Sequence, residues 1–155
     1  MTKPRSFDIM SGAKRSALMS RIRGSDTGPE LLVRQLLHGL GYRYRLHVRT
    51  LPGRPDIVFP SRRAVVFVHG CFWHRHDCGL AYTPKTRAAF WKEKFARNVE
   101  RDRDNRWQLV AQGWKVLVIW QCELESTRRL SSRLVRFLGP PGSGQMRPGA
   151  RSARR

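Results

Sequence analysis

The chain is predicted to be an α/β protein, a three-layer sandwich around a central mixed β-sheet. Three observations predict this. Two short, wholly apolar runs, AVVFV at 64–68 and VLVIW at 116–120, read as strands buried on both faces. A long helical pattern separates them, so the second must cross over and lie parallel to a neighbour. Amphipathic helical segments stand before the first strands and after the last one.

Taken in order, residues 1–12 have no apolar periodicity and read as a loose N-terminal segment. Ala13 to Arg23 reads as a short helix with Leu18, Met19 and Ile22 on one side. Ser25-Asp26-Thr27 is a helix start signal, Pro29 suits the first turn, and Thr27 with Glu30 forms a capping-box pattern. That helix runs to Leu40, and Gly41 ends it. Tyr42 to Val48 alternates and predicts a half-buried strand with Tyr42, Tyr44, Leu46 and Val48 inward and Arg43, Arg45 and His47 outward. Pro52-Gly53 turns the chain into a short strand from Asp56 to Phe59, and a polar turn leads to the central strand 64–68. The first three strands form a meander. Thr86 to Gln112 reads as a helix with a break allowed, on which Trp91, Phe95 and Val99 share a stripe. Ser126 to Leu138 is the last helix, with Leu130, Leu134 and Leu138 spaced by four. The folded domain is therefore expected over 13–138. The tail 139–155, PPGSGQMRPGARSARR after Gly139, is basic and rich in Pro and Gly, and is expected to be disordered.

With 31 Lys+Arg against 11 Asp+Glu, the chain carries a net charge of +20 in 155 residues. Such a field favours polyanions, and with an ordinary apolar content it points to nucleic acid. The apolar runs are too short to span a membrane, and the N-terminal residues lack the apolar stretch of a secretory signal. Cytoplasm is the expected compartment. Three cysteines, two of them in a histidine-rich window, favour metal ligation over disulfides.

That window, residues 51–78, suggests two kinds of metal chemistry. Cys71, His76 and Cys78 lie within eight residues, and Cys122 follows the strand ending at Trp120, which together offer a Cys₃His set for a structural zinc ion. The alternative is three small buried cysteines and a surface histidine. Asp56 offers a hard oxygen ligand of the kind magnesium prefers. If the strands on either side of Arg63 are antiparallel, it lies near His69, and Glu30 stands in the first turn of the leading helix. A histidine of near-neutral pKa, His69 or His74, could take the proton from an attacking water. The adjacent aromatics Phe72 and Trp73, expected in a polar loop between the candidate metal ligands, read either as a plug over the zinc ligands or as a wedge between base pairs.

The segments LPGRPD at 51–56, VVFVHGCFWH at 65–74, FWKEK at 90–94, NVERD at 98–102 and GWKVLVIW at 113–120 with Cys122 resemble the very short patch repair (Vsr) DNA mismatch endonucleases, relatives of the PD-(D/E)xK nucleases. The resemblance covers roughly residues 11–138. It implies a restriction-endonuclease-like core and a strand-nicking endonuclease, a phosphodiester hydrolase, acting 5′ of the thymine in T:G mismatches left by 5-methylcytosine deamination. It implies magnesium at Asp56 and at the main-chain carbonyl of Val68, where the family often has threonine. His74 becomes the favoured general base, with His69 and Glu30 supporting the site. Cys71, His76, Cys78 and Cys122 match the zinc ligands. Phe72, Trp73, Trp91 and Met19 match residues that enter the DNA, and Lys94 and Asn98 match contacts near the mismatch. Phe67-x-His69 replaces the second carboxylate and lysine of other nucleases, so phosphate oxygens must complete the metal shell. The implied partners are duplex DNA with a T:G mismatch and MutL-like repair proteins, and a monomer suffices for a single lesion. Two other classes compete: a zinc-stabilised DNA-binding module without catalysis, and a restriction-type or junction-cleaving nuclease on the same fold.

Overall fold

The computed structural model describes residues 26–142. The helix expected at 13–23, Met19, the segment 1–12 and the tail beyond residue 142 lie outside the described residues. The elements are α1 (Gly28–Gly39), β1 (Arg45–Leu46), β2 (Ile57–Phe59), β3 (Ala64–His69), a single turn α2 (Cys71–His74), α3 (Ala88–Ala111), β4 (Lys115–Trp120) and α4 (Thr127–Leu138). The sheet order is β1-β2-β3-β4. β2 runs antiparallel to β1 and to β3, and β4 is parallel to β3 with Val66 opposite Leu117. The meander and the parallel crossover expected from the sequence are both present.

Period-two alternation divides the sheet between two cores. Ile57, Phe59, Ala64, Val66 and Val68 face α1 and α4, packing with Val33, Leu37, Leu130, Leu134 and Leu138. Val58, Val65 and Phe67 face the other way, with Leu109 of α3 and Val118 of β4. A helix layer on each face makes the three-layer sandwich, and the mixed four-stranded sheet is consistent with a restriction-endonuclease-like fold. The parity fixes where polar residues go. Asp56 precedes Ile57 and shares the α3 side with Val58, and His69 continues the Val65, Phe67 row onto the same side.

Three local expectations change. The strand at 42–48 shrinks to Arg45–Leu46, because Tyr42 and Tyr44 are spent on tertiary bonds, their hydroxyls donating to the carbonyls of Gly139 and Arg34. Leu46 is exposed, and His47 turns into a left-handed conformation at φ 48° and is half-buried among charged groups. The helix at 86–112 is unbroken over 24 residues, and Val99 of its expected stripe is exposed while Phe95 is buried. Phe72 and Trp73 lie on the turn α2, not in a loop. The start of α1 follows expectation: Thr27 Oγ1 accepts from the Glu30 N–H at 3.4 Å. The Glu30 carboxylate reaches back one residue further than in the usual box, to the Asp26 N–H.

Candidate active site and thiol cluster

A cleft of about 1170 Å³ opens at the end of β3. Asp56, Val68, His69, Trp73, His74, Glu30 and His47 line it together with Asp102, Asn105 and Gln121. Arg49, Arg54, Arg101 and Arg106 complete the wall, so a phosphate entering it meets positive charge from several sides. The floor depends on a close approach. Gly53, at φ +73°, passes so near α3 that a Cβ there would stand 2.9 Å from the Asn105 side chain, which is why LPGRPD needs glycine at that position.

Asp56 sits at the antiparallel edge as expected, and its Oδ2 accepts from the Val68 N–H at 2.7 Å. Burial pushes its carboxyl up to about 6; the Val68 bond pulls it down, and the charge of Glu30 pushes it up further. Val68 turns its side chain into the core cluster and its backbone toward Asp56. His69 and His74 are brought together with rings stacked at 3.8 Å and 6°. Burial, then the neighbouring His74, lowers His69 to about 3. His74 Nδ1 is in hydrogen-bond contact with Asp102 Oδ2. Burial works against the Asp102 carboxylate, but the bond and charge of His74 outweigh it and hold its carboxyl below the usual range. The ligand atoms of His69, His74 and Asp102 lie within 4.8 Å of one another. Among the described residues Asp56 joins no such group of three, so from these an ion on its carboxylate would draw its other ligands from backbone and phosphate oxygens.

Glu30 is 3 % exposed. Its Oε2 accepts from Arg34 Nη2 at 3.1 Å as well as from the Asp26 N–H. Arg34 Nη1 pairs with Asp26 at 2.7 Å, and this bond, followed by that of His47, holds the Asp26 carboxyl below its usual range.

The thiol cluster forms on the other side of Trp120. Cys71, His76, Cys78 and Cys122 present ligand atoms within 4.8 Å of one another, and all three cysteines are free thiols. Cys122 Sγ lies 3.3 Å from His76 Nδ1, and the Cys122 N–H donates to Cys71 Sγ at 3.4 Å. Burial pushes Cys78 up, yet bonds from His76, the Leu80 N–H and the other thiols bring it down to about 7. Burial and the two neighbouring thiols push Cys122 up to about 12. Three sulfurs and one imidazole crowded together in this way fit a tetrahedral zinc ion, which would favour all three as thiolates.

The aromatic group gathers above the same turn. Phe72 meets Trp73, Tyr82, Trp91 and Phe95 at 5.0–5.7 Å between ring centroids. Lys94 Nζ stands over Trp73 at 5.4 Å and over Trp91 at 5.8 Å. Asn98 Nδ2 donates to the Trp73 carbonyl at 3.0 Å.

A sequence model of the family described as DNA mismatch endonuclease Vsr matches residues 7–80. The chain is 50 % identical over 133 residues to the type II nicking enzyme V.XorIIP of Xanthomonas oryzae pv. oryzae, covering 86 % of this chain and 98 % of that one. It is 44 % identical over 124 residues to the DNA mismatch endonuclease Vsr of Escherichia coli, 80 % of each chain. The chain belongs to the Vsr family. It is accordingly a DNA endonuclease, a hydrolase of phosphodiester bonds. Among the described residues no helix is long and apolar enough to cross a membrane.

Sequence reasoning missed three residues of this Vsr-family site. Asp102 continues the Lys94, Asn98 face at a spacing of four, and that spacing could have revealed it. Trp120 read only as a strand end. It separates the two clusters, edge-on to His69 at 5.3 Å and stacked on His76 at 4.4 Å. Arg34 gave only the local signal of its i,i+4 pair with Glu30, and its contact with His47, thirteen residues away, gave none.

Proposed function

We propose that the protein nicks duplex DNA 5′ of the mismatched thymine in T:G pairs left by 5-methylcytosine deamination, and so begins very short patch repair. The observation that carries the hydrolytic reading is the His74–Asp102 contact beside the buried Asp56 carboxylate. Asp102 holds the His74 ring through Nδ1, which leaves Nε2 as the nitrogen that accepts a proton from water, and it stabilises the imidazolium that forms. His69, stacked on that ring and buried, restricts its rotation.

Asp56 and the Val68 carbonyl would hold magnesium. The donor set fits: one carboxylate and one backbone oxygen on the same edge. Pro55, opposite Val68 when the β2–β3 register is extended, has no N–H to occupy that carbonyl. When bound, the ion would polarise a phosphoryl oxygen and lower the pKa of the attacking water. The cleft arginines bind and orient the phosphate, and Glu30 supports the site through its charge beside Asp56. A zinc ion on Cys71, His76, Cys78 and Cys122 would fix the turn that carries His74.

Phe72 and Trp73, backed by Trp91, are proposed to wedge into the stack, where a mismatch lowers the unstacking cost. Lys94 lies over those rings and is placed to reach a phosphate or base edge. Asn98 anchors the Trp73 carbonyl and contacts DNA from the same face. Met19 belongs to the same proposed contact set. The endonuclease domain is assigned to 13–138, acting as a monomer in the cytoplasm on the nucleoid, with MutL-like proteins as partners. A zinc-stabilised binder has no use for an Asp–His pair beside a buried carboxylate, which disfavours that class.

The test is a nicking assay on labelled duplexes carrying T:G, C:G or T:A at one position, with magnesium or EDTA. Nicking of T:G alone, and only with magnesium, is expected. Equal cleavage of all three removes the mismatch claim, and cleavage in EDTA removes the metal.

A further inference from the structure

Asp26, Glu30 and His47 present ligand atoms within 4.8 Å of one another at the rim of the cleft, a donor set with the composition of a divalent-cation site. A guanidinium already stands among them. Arg34 Nη1 pairs with Asp26 Oδ1 at 2.7 Å. Its Nη2 is 3.1 Å from Glu30 Oε2 and 2.9 Å from His47 Nε2. Arg34 is 8 % exposed, and its Nε has no hydrogen-bond partner among the described residues. Burying an arginine is costly unless its charge is paired, and here Asp26 and Glu30 pair it. It offers only donors, so it can bond His47 Nε2 only by that nitrogen accepting.

We propose that Arg34 is a positioning residue that serves as a built-in cation: it occupies the place a divalent ion would take between Asp26, Glu30 and His47, and so confines divalent loading to Asp56. Asp56 faces the same cleft, and Glu30 and Arg34 both act on it electrostatically. A second ion at the rim would draw Glu30 away from the Asp26 N–H and from Thr27, loosening the start of α1. A fixed guanidinium gives the same charge compensation in one geometry and at every metal concentration. This goes beyond the proposed reaction, resting on it only for the role of Asp56.

The test counts ions, so it is independent of whether the substrate reading holds. Zinc-supplied, DNA-free protein is titrated with Mn²⁺ and the free ion is read by electron paramagnetic resonance. Arg34→Met, which keeps the stem and removes the charge, is expected to bind one Mn²⁺ more per chain than wild type. That gain should vanish in Arg34→Met/Asp26→Asn and be absent in Arg34→Lys, which restores a cation. An Arg34→Met protein that melts cooperatively yet gains no ion overturns the proposal. Asp26 is exposed, so Asp26→Asn in the otherwise wild-type chain is a second arm that does not depend on the folding of Arg34→Met. If Asp26→Asn lowers the wild-type ion count, the rim holds an ion with Arg34 in place and the proposal fails; an unchanged count supports it.

Discussion

Two clusters grow from one turn of helix and could hardly be more different. Cys71, the first residue of α2, joins Cys78, Cys122 and His76 in a sulfur-rich group. His74, the last, joins His69 and Asp102 in a cleft lined by arginines and a buried carboxylate. Trp120 stands between them, touching His69 on one side and His76 on the other. The first group could close around an ion, since four protein ligands would leave no open position. The second lies in an open cleft beside Asp56, where an ion on that carboxylate would keep positions free for a phosphate. On the proposed function, the difference teaches that the thiol cluster would act on chemistry only through position. It holds the start of α2, and α2 carries His74.

The comparison can be broken at either end. Asp56→Asn is expected to have the largest effect. Losing the ion's contribution, about 4 kcal/mol of transition-state stabilisation, corresponds to roughly a thousandfold in single-turnover nicking, while zinc content by atomic absorption stays unchanged. Cys71→Ser attacks the other end. It should lose zinc and nicking together, with a fall of about a hundredfold, because a shift near 1 Å in a catalytic group suffices for that. Retention of full activity by zinc-free protein would separate the two clusters entirely. Asp102→Asn should cost less, roughly 10–100-fold in the rate constant, since the amide can still hold the ring but supports the imidazolium poorly. A change confined to DNA affinity would instead make Asp102 a binding residue.

Acidity sharpens the contrast more gently. The Asp56 carboxyl is raised to about 6, so below that pH it carries a proton that magnesium must displace. The half-saturating magnesium concentration for nicking is expected to be flat above pH 6 and to rise by up to about tenfold per unit below it. The sign follows from the raised value: the metal-competent carboxylate is present above the folded-state pKa and lost as pH falls through it.

How much of this was legible in the sequence follows the same division. The thiol cluster was readable because three of its ligands lie within eight residues and the fourth marks a strand end. The central strands were readable because continuous apolar runs have few other uses. Asp56 and His69 came together because an antiparallel meander dictates it. What stayed hidden depends on tertiary approach. Asp102 reaches His74 only when α3 packs on the sheet, and Arg34 meets His47 only because the chain turns at Leu40–Gly41. The strand at 42–48 failed for a related reason. Its tyrosines hydrogen-bond to Gly139 and to Arg34 instead of lining a regular ladder.

The division of labour across Trp120 is tested most directly by His74→Ala, with zinc content, thermal melting and single-turnover nicking of a T:G duplex measured on the same preparation. The expected result is wild-type zinc and a melting point close to wild type, with nicking reduced by about 10²-fold, the lower end of the span that general-base catalysis supplies. Nicking within a few-fold of wild type would contradict it, and so would loss of zinc in step with activity, because His74 would then belong to the thiol side.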